Sequence, residues 1–253
     1  MRAGWDPRQL FILGLVIFVL PSLLSGNRAT PSTEAIIATL LAGIISITVH
    51  EFFHAYSAWK LGDDTAYHMG RVNLNPINHF DPLGFFGFVL ISLGFTSIAW
   101  GKPVPVNFNR LRGDFRQRKI ASLIIAGCAP LSNVVMAIGA TLLLRLLDSP
   151  DVDLGFTGFF LARFAYLNML LAAFNLIPLP PLDGYRVLTS FLPNFWYPTM
   201  RRLETLGLFL PFLVIFIDSR LDLGIYSALI GPGLQAQFDL LVDTTFRIYF
   251  NRF

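Results

Sequence analysis

The chain has 253 residues, 54% hydrophobic and only 14% charged, with a net charge of +3. Soluble domains carry about 25% charged residues, so this composition excludes a soluble, disordered, fibrous or disulfide-rich secreted protein and leaves an integral membrane protein. The single cysteine, Cys128, excludes an intramolecular disulfide and a cysteine-rich metal site.

In chain order, the apolar pattern predicts membrane-active segments at 9–26, 34–60, 82–101, 119–145, 156–182 and 204–217, with a further apolar piece at 223–238. A bilayer crossing takes about 20 mostly apolar residues. Segment 9–26 carries no charge between Arg8 and Arg28, and no clear small-x-small cleavage site follows it. It reads as a retained helix and not as a signal peptide. Gly231-Pro232-Gly233 interrupts the piece at 223–238, which fits an interfacial or re-entrant segment, and the tail 238–253 reads either as a surface helix or as a plain terminal helix. The expected fold class is an all-α integral membrane protein with five or six transmembrane helices, forming one membrane domain over 1–253.

Loop charge orients these segments. Residues 102–119 hold Lys102, Arg110, Arg112, Arg116, Arg118 and Lys119 against Asp114 alone, which places this loop in the cytoplasm. Asp148, Asp151 and Asp153 place 145–153 outside, while Arg186, Arg201 and Arg202 bring 184–204 back inside, and Arg2 and Arg8 put the N-terminus inside. The basic balance is thus a matter of orientation, and no nucleic-acid partner is expected. With 61–81 and 102–119 both inside, 82–101 must enter and leave by one face, or else it spans and one orientation is wrong. Its glycines, Gly84, Gly87, Gly94 and Gly101, suit a re-entrant, in part β, segment around 62–101.

The chemistry concentrates in His50-Glu51-Phe52-Phe53-His54, an H-E-x-x-H pattern. Positions i and i+4 of a helix share a face, so two imidazoles can hold one Zn²⁺ at about 2.0–2.1 Å, and Glu51 can act as general base toward water at the metal. Two histidines satisfied by hydrogen bonds are the bland alternative. They sit inside an apolar run, however, where Glu and His are costly without partners or a metal. A third protein ligand is needed. Asp183 is the best candidate, with an ordinary cap as the alternative. Counted from the outer face, His50 lies about 16 residues deep and Asp183 about 19, which are similar depths at about 1.5 Å per residue. Pro178, Pro180 and Pro181 interrupt regular helix just before Asp183, and the freed backbone groups could accept a substrate strand by β-addition.

At these residues the chain resembles the site-2 protease family of intramembrane zinc metalloproteases, in its compact prokaryotic branch. Asn175-x-x-Pro178-x-x-x-x-Asp183-Gly184 resembles the family's second motif, the stretches 70–84 and 101–107 resemble the compact branch, and 126–133 resembles its A-G-P-x-x-N helix with two residues inserted before Pro130. The likeness covers about 35–190. It implies His50, His54 and Asp183 as ligands of one zinc ion, Glu51 as catalytic acid and base, and Asn175 as a group that holds substrate or the oxyanion. It implies cleavage of membrane-embedded helices of protein substrates near the cytosolic face, in a prokaryotic plasma membrane. The chain has no room for the PDZ or CBS domain of some relatives.

Other polar residues carry weaker signals. His79 and Asp81 precede the glycine-rich segment and could line the active-site entrance, although an interfacial histidine is more often structural. His68 is weaker still, and Asn133 reads as an interhelical hydrogen bond. A rival reading from another class is a membrane zinc-binding protein without hydrolysis, a transporter or chaperone, which would not need Glu51. A membrane hydrolase of lipids or small molecules ranks lower, because no serine nucleophile motif or phosphate loop is present.

Overall fold

The computed structural model describes residues 31–95, 97–147, 154–207 and 209–221, together with Val16 and residues 223, 224, 228 and 231. The segments expected at 9–26, 223–238 and 238–253 and the loop at 148–153 lie essentially outside these residues.

Helix α1 (Thr33–Lys60) opens with Ser32, whose side chain accepts from the Ala35 N–H at 3.1 Å, and it carries Glu34 in its first turn and Lys60 in its last. Both charges complement the helix dipole. A single turn, α2 (Thr65–His68), and a 3-10 turn over Pro76–His79 lead into α3 (Pro82–Ser92). Pro82 takes the first helical position of α3, and Asp81 caps it by accepting from the Gly84 N–H at 2.9 Å. Then follow α4 (Phe115–Leu147), α5 (Gly155–Asn175), α6 (Asp183–Phe191), α7 (Tyr197–Glu204) and α8 (Phe209–Leu221).

Helices α1, α4 and α5 are long and apolar enough to cross a membrane, and they pack against one another pairwise, with α6 docked on α4 and α3 on α1. The packing follows the rule for helices in lipid, with small residues between them and large apolar ones outside. Ala35, Ala38, Ala42 and Ser46 of α1 are buried, as are Ala126, Ala129 and Ala137 of α4 and Ala162 and Ala165 of α5. Ile37, Leu41 and Ile45, four residues apart on α1, face outward, and so do Leu131, Val135 and Leu142 on α4. Arg163 of α5 donates to Thr39 Oγ1 at 2.8 Å, a polar link across this apolar bundle.

One expectation changes, and two segments take a more definite form. Segment 82–101 is not one spanning helix. Helix α3 has 11 residues, about 16 Å at the helical rise, roughly half the thickness of a hydrocarbon core. After Gly94, at φ +80°, the chain doubles back, and the carbonyls of Trp100 and Ile98 lie where side chains at Gly84 and Gly87 would be. Those two glycines therefore allow the close return. The expected β content is also not found, because no strand occurs among the described residues. Segment 156–182 ends its helix at Asn175 and continues as a turn that places Asp183 at the start of α6.

Candidate metal centre

His50 and His54 lie one turn apart on the inward face of α1, with ring centroids 4.9 Å apart and planes 87° to each other. Asp183 Oδ2 is 3.2 Å from the Nε2 atoms of both, and one ligand atom from each of the three residues lies within 4.8 Å of the others. All three residues are buried, as is Glu51.

The outer side of each ring fixes its tautomer. His50 Nδ1 lies 2.6 Å from Asn133 Oδ1, and His54 Nδ1 lies 2.9 Å from the Ile125 carbonyl. The Asn133 amide nitrogen donates to Asn168 Oδ1 at 2.8 Å, and the Asn168 nitrogen donates to the Phe164 carbonyl at 2.9 Å. This chain turns the oxygen of Asn133 toward His50. Each Nδ1 faces an acceptor, which suits the tautomer that turns the Nε2 lone pair toward Asp183. Two Nε2 atoms and a carboxylate oxygen converge at one point, an arrangement that a cation would satisfy. Two imidazoles and one carboxylate are donor types that zinc takes, and His50, His54 and Asp183 could hold such an ion. Each histidine is held from behind as metal-binding histidines usually are.

Local sequence explains these placements. Pro130 removes an N–H from the interior of α4, interrupting the ladder next to the turn that offers the Ile125 carbonyl. Gly184 is required by close approach, since a Cβ there would lie 2.1 Å from the Leu176 carbonyl oxygen and 2.5 Å from that of Ile177. Asp183 thus reaches the histidines because the start of α6 can press against the end of α5.

The other expected residues fall differently. Asn175 ends α5 with its amide nitrogen donating to the Leu171 carbonyl of its own helix at 2.9 Å. His68 is exposed and sits 3.1 Å from Asp64, in a surface group with Arg110. The hydrogen bond from Arg110, followed by that from His68, holds the Asp64 carboxyl below its ordinary range. Asp81 serves as the cap of α3. His79 is only 1% exposed, and it lines a cavity of about 350 Å³ beside α1, with Ile47, Phe85, Phe88, Trp100 and Gly101. Asn168, the Ile125 carbonyl and Arg71 were not foreseen. Asn133 makes the interhelical hydrogen bond expected of it, to Asn168, and its second partner is His50.

The sequence pattern of peptidase family M50 matches residues 115–217. A Bacillus subtilis protein whose name designates it a zinc metalloprotease, YwhC, is 38% identical over 79% of this chain and 86% of its own length. The chain belongs to peptidase family M50. A Mycolicibacterium smegmatis relative named in the same way, Rip2, is 27% identical over 76% of this chain and 73% of its own. No solved structure matches significantly. Family membership bears out the resemblance drawn from the motifs, and with three apolar helices of spanning length it makes the chain an integral membrane peptidase.

Proposed function

We propose that this M50 peptidase is a zinc metalloprotease that cleaves peptide bonds within membrane-embedded segments of protein substrates, near the cytosolic face of a prokaryotic plasma membrane. His50, His54 and Asp183 hold the zinc, and 1–253 acts as one membrane domain. The reading rests above all on the convergence of two imidazole nitrogens and one carboxylate oxygen deep in an apolar bundle, one residue away from a buried acid. When bound, zinc supplies Lewis-acid polarisation of the reacting oxygens.

The chain's own residues do the proton work. Glu51 follows His50 on α1, and its Oε2 is buried with no hydrogen-bond partner among the described residues. In this reading it takes a proton from the attacking water and returns it to the leaving amine. Asn175 assists substrate or oxyanion binding. The hairpin of α3 and its extended return is a re-entrant element, too short to span, that walls the site on the Glu51 side: a Cβ at Gly101 would lie 3.0 Å from Glu51 Cγ. A substrate helix must unwind first, because a helix uses its own amides internally. The basic loop 102–119 orients this mouth toward the cytosol.

The test is purified protein carrying Glu51→Gln. Zinc retained with cleavage lost supports the protease. Unchanged cleavage would remove Glu51 as the acid and base and sink the mechanism, whereas zinc bound by a wild-type protein that cleaves no membrane-embedded peptide would point to a zinc transporter or chaperone.

A further inference from the structure

Beside Glu51 the fold leaves polar atoms without partners. Among the described residues, the buried side-chain atoms in this state are Glu51 Oε2, Arg71 Nε and Nη1, His79 Nδ1 and, apart from them, Thr141 Oγ1. Arg71 is 3% exposed and His79 1%. Residues 101 and 102 stitch these groups into one wall. A Cβ at Gly101 would lie 3.0 Å from Glu51 Cγ and 3.2 Å from the His79 carbonyl oxygen. The Lys102 N–H donates to that same carbonyl at 2.8 Å, and Arg71 Nη2 donates to the Lys102 carbonyl. Orphaned buried groups destabilise a fold, so native proteins keep them where water or a ligand uses them.

The two side chains offer opposite chemistry. A guanidinium is a donor only and stays charged. His79 faces the Asn73 carbonyl through Nε2 at 2.8 Å, so its proton lies there and Nδ1 is a bare acceptor. Burial, reinforced by the nearby Arg71 charge, pushes its pKa down and keeps the ring neutral. A free donor beside a free acceptor complements one peptide unit, with its C=O and N–H, but only when the peptide is extended, since a helical peptide has both groups engaged. His79 also lines the apolar cavity between α1 and α3, which can take the neighbouring side chains.

We propose that Arg71 and His79 form a main-chain clamp for the unwound substrate segment, Arg71 donating to a substrate carbonyl and His79 Nδ1 accepting a substrate N–H, next to Glu51. This rests on the protease reading and names the residues that present the peptide bond to that site. A purely structural role predicts something different, namely that Arg71 matters only for tying down Lys102 and His79 only for its bond to Asn73.

The test uses the full-length protein in detergent and a quenched-fluorescent single-span peptide with a Gly-Gly break in its cytosolic third. His79→Gln keeps a donor near the Nε2 position and loses the Nδ1 acceptor. His79→Asn places an amide near the Nδ1 position and loses the bond to Asn73. The clamp predicts that His79→Gln lowers kcat/KM about tenfold, mainly through KM, that His79→Asn recovers most of that loss, and that Arg71→Gln lowers it at least as much, all with zinc content unchanged. In a Glu51→Gln background the same substitutions should weaken peptide binding by similar factors. If Arg71→Gln does not fold, the His79 pair decides. The clamp is overturned if kcat/KM stays within about twofold of wild type in His79→Gln, if His79→Asn is the more damaging, or if losses track zinc. Cleavage abolished by Glu51→Gln but untouched by the His79 exchanges sinks the clamp alone. A wild-type protein that cleaves no such peptide sinks the protease reading and the clamp with it, and a Glu51→Gln protein that still cleaves removes Glu51 as the acid and base and with it the clamp built beside that residue.

Discussion

Replacing Asn133 by Ala should loosen the metal without touching a ligand. Asn133 is fully buried and bridges His50 Nδ1, at 2.6 Å, to Asn168 Oδ1, at 2.8 Å. Alanine leaves the His50 N–H and the Asn168 oxygen buried without partners, and a lost partner of this kind costs about 1–3 kcal/mol. Part of that cost falls on the metal-bound state, because the ring is then free to turn its lone pair away from His54 and Asp183. Removing such outer partners lowers metal affinity about 10–100-fold elsewhere, equivalent to about 1.4–2.7 kcal/mol, so the two figures agree. The assay is a competitive chelator titration of purified protein in detergent, with thermal unfolding followed at saturating zinc. Asn168→Ala should act in the same direction but less, about threefold to tenfold, since Asn133 remains and only its orientation is released. Unchanged zinc affinity in Asn133→Ala, or an equal loss of stability with and without zinc, would refute the reasoning.

Removal of zinc by chelation should lower Tm, because metal that binds only the folded state stabilises it, and Asp183→Ala should abolish this difference along with activity; full zinc occupancy in that variant would remove Asp183 from the ligand set. Gly184→Ala places a Cβ 2.1 Å from the Leu176 carbonyl oxygen and should cut zinc affinity at least about tenfold by displacing Asp183, as read by the same titration. His79 is held neutral mainly by burial, with Arg71 opposing its protonation and Glu51 favouring it. Its folded pKa lies below the ordinary 6.5, so the unfolded chain takes up the proton first, and stability falls as pH drops from about 6.5 toward the folded value. At saturating zinc, wild type should lose Tm more steeply between pH 7 and 5 than His79→Gln, and parallel curves would remove His79 as the cause.

Much of the site was legible in local patterns because those patterns are local physics. The i, i+4 spacing puts His50 and His54 on one face of any helix, and the apolar run around them requires that they be satisfied from within the protein. Counting depth along two segments that loop charge orients alike points to Asp183, and it lies 3.2 Å from both histidines. The hairpin of α3 was only half legible. Its glycines suit a re-entrant segment, but the β structure expected around 62–101 is not found among the described residues, where the return packs along a short helix. Asp81, which could have lined the entrance, caps α3, and His68 pairs with Asp64 at the surface, both decided by neighbours in three dimensions.

What the sequence by itself determined is the solvent and the pairing of two histidines: a composition too apolar for water, and a helix period that puts His50 and His54 on one face. What only the tertiary structure decided is which polar groups stand behind and beside them. The partner of His50 is 83 residues away, and the link from His54 to Asp183 spans 129. Arg71 and His79 meet Glu51 only because residues 101 and 102 fold back between them. No periodicity encodes contacts of that range; they follow from how small residues let three helices pack and from the glycines that admit the loops against them.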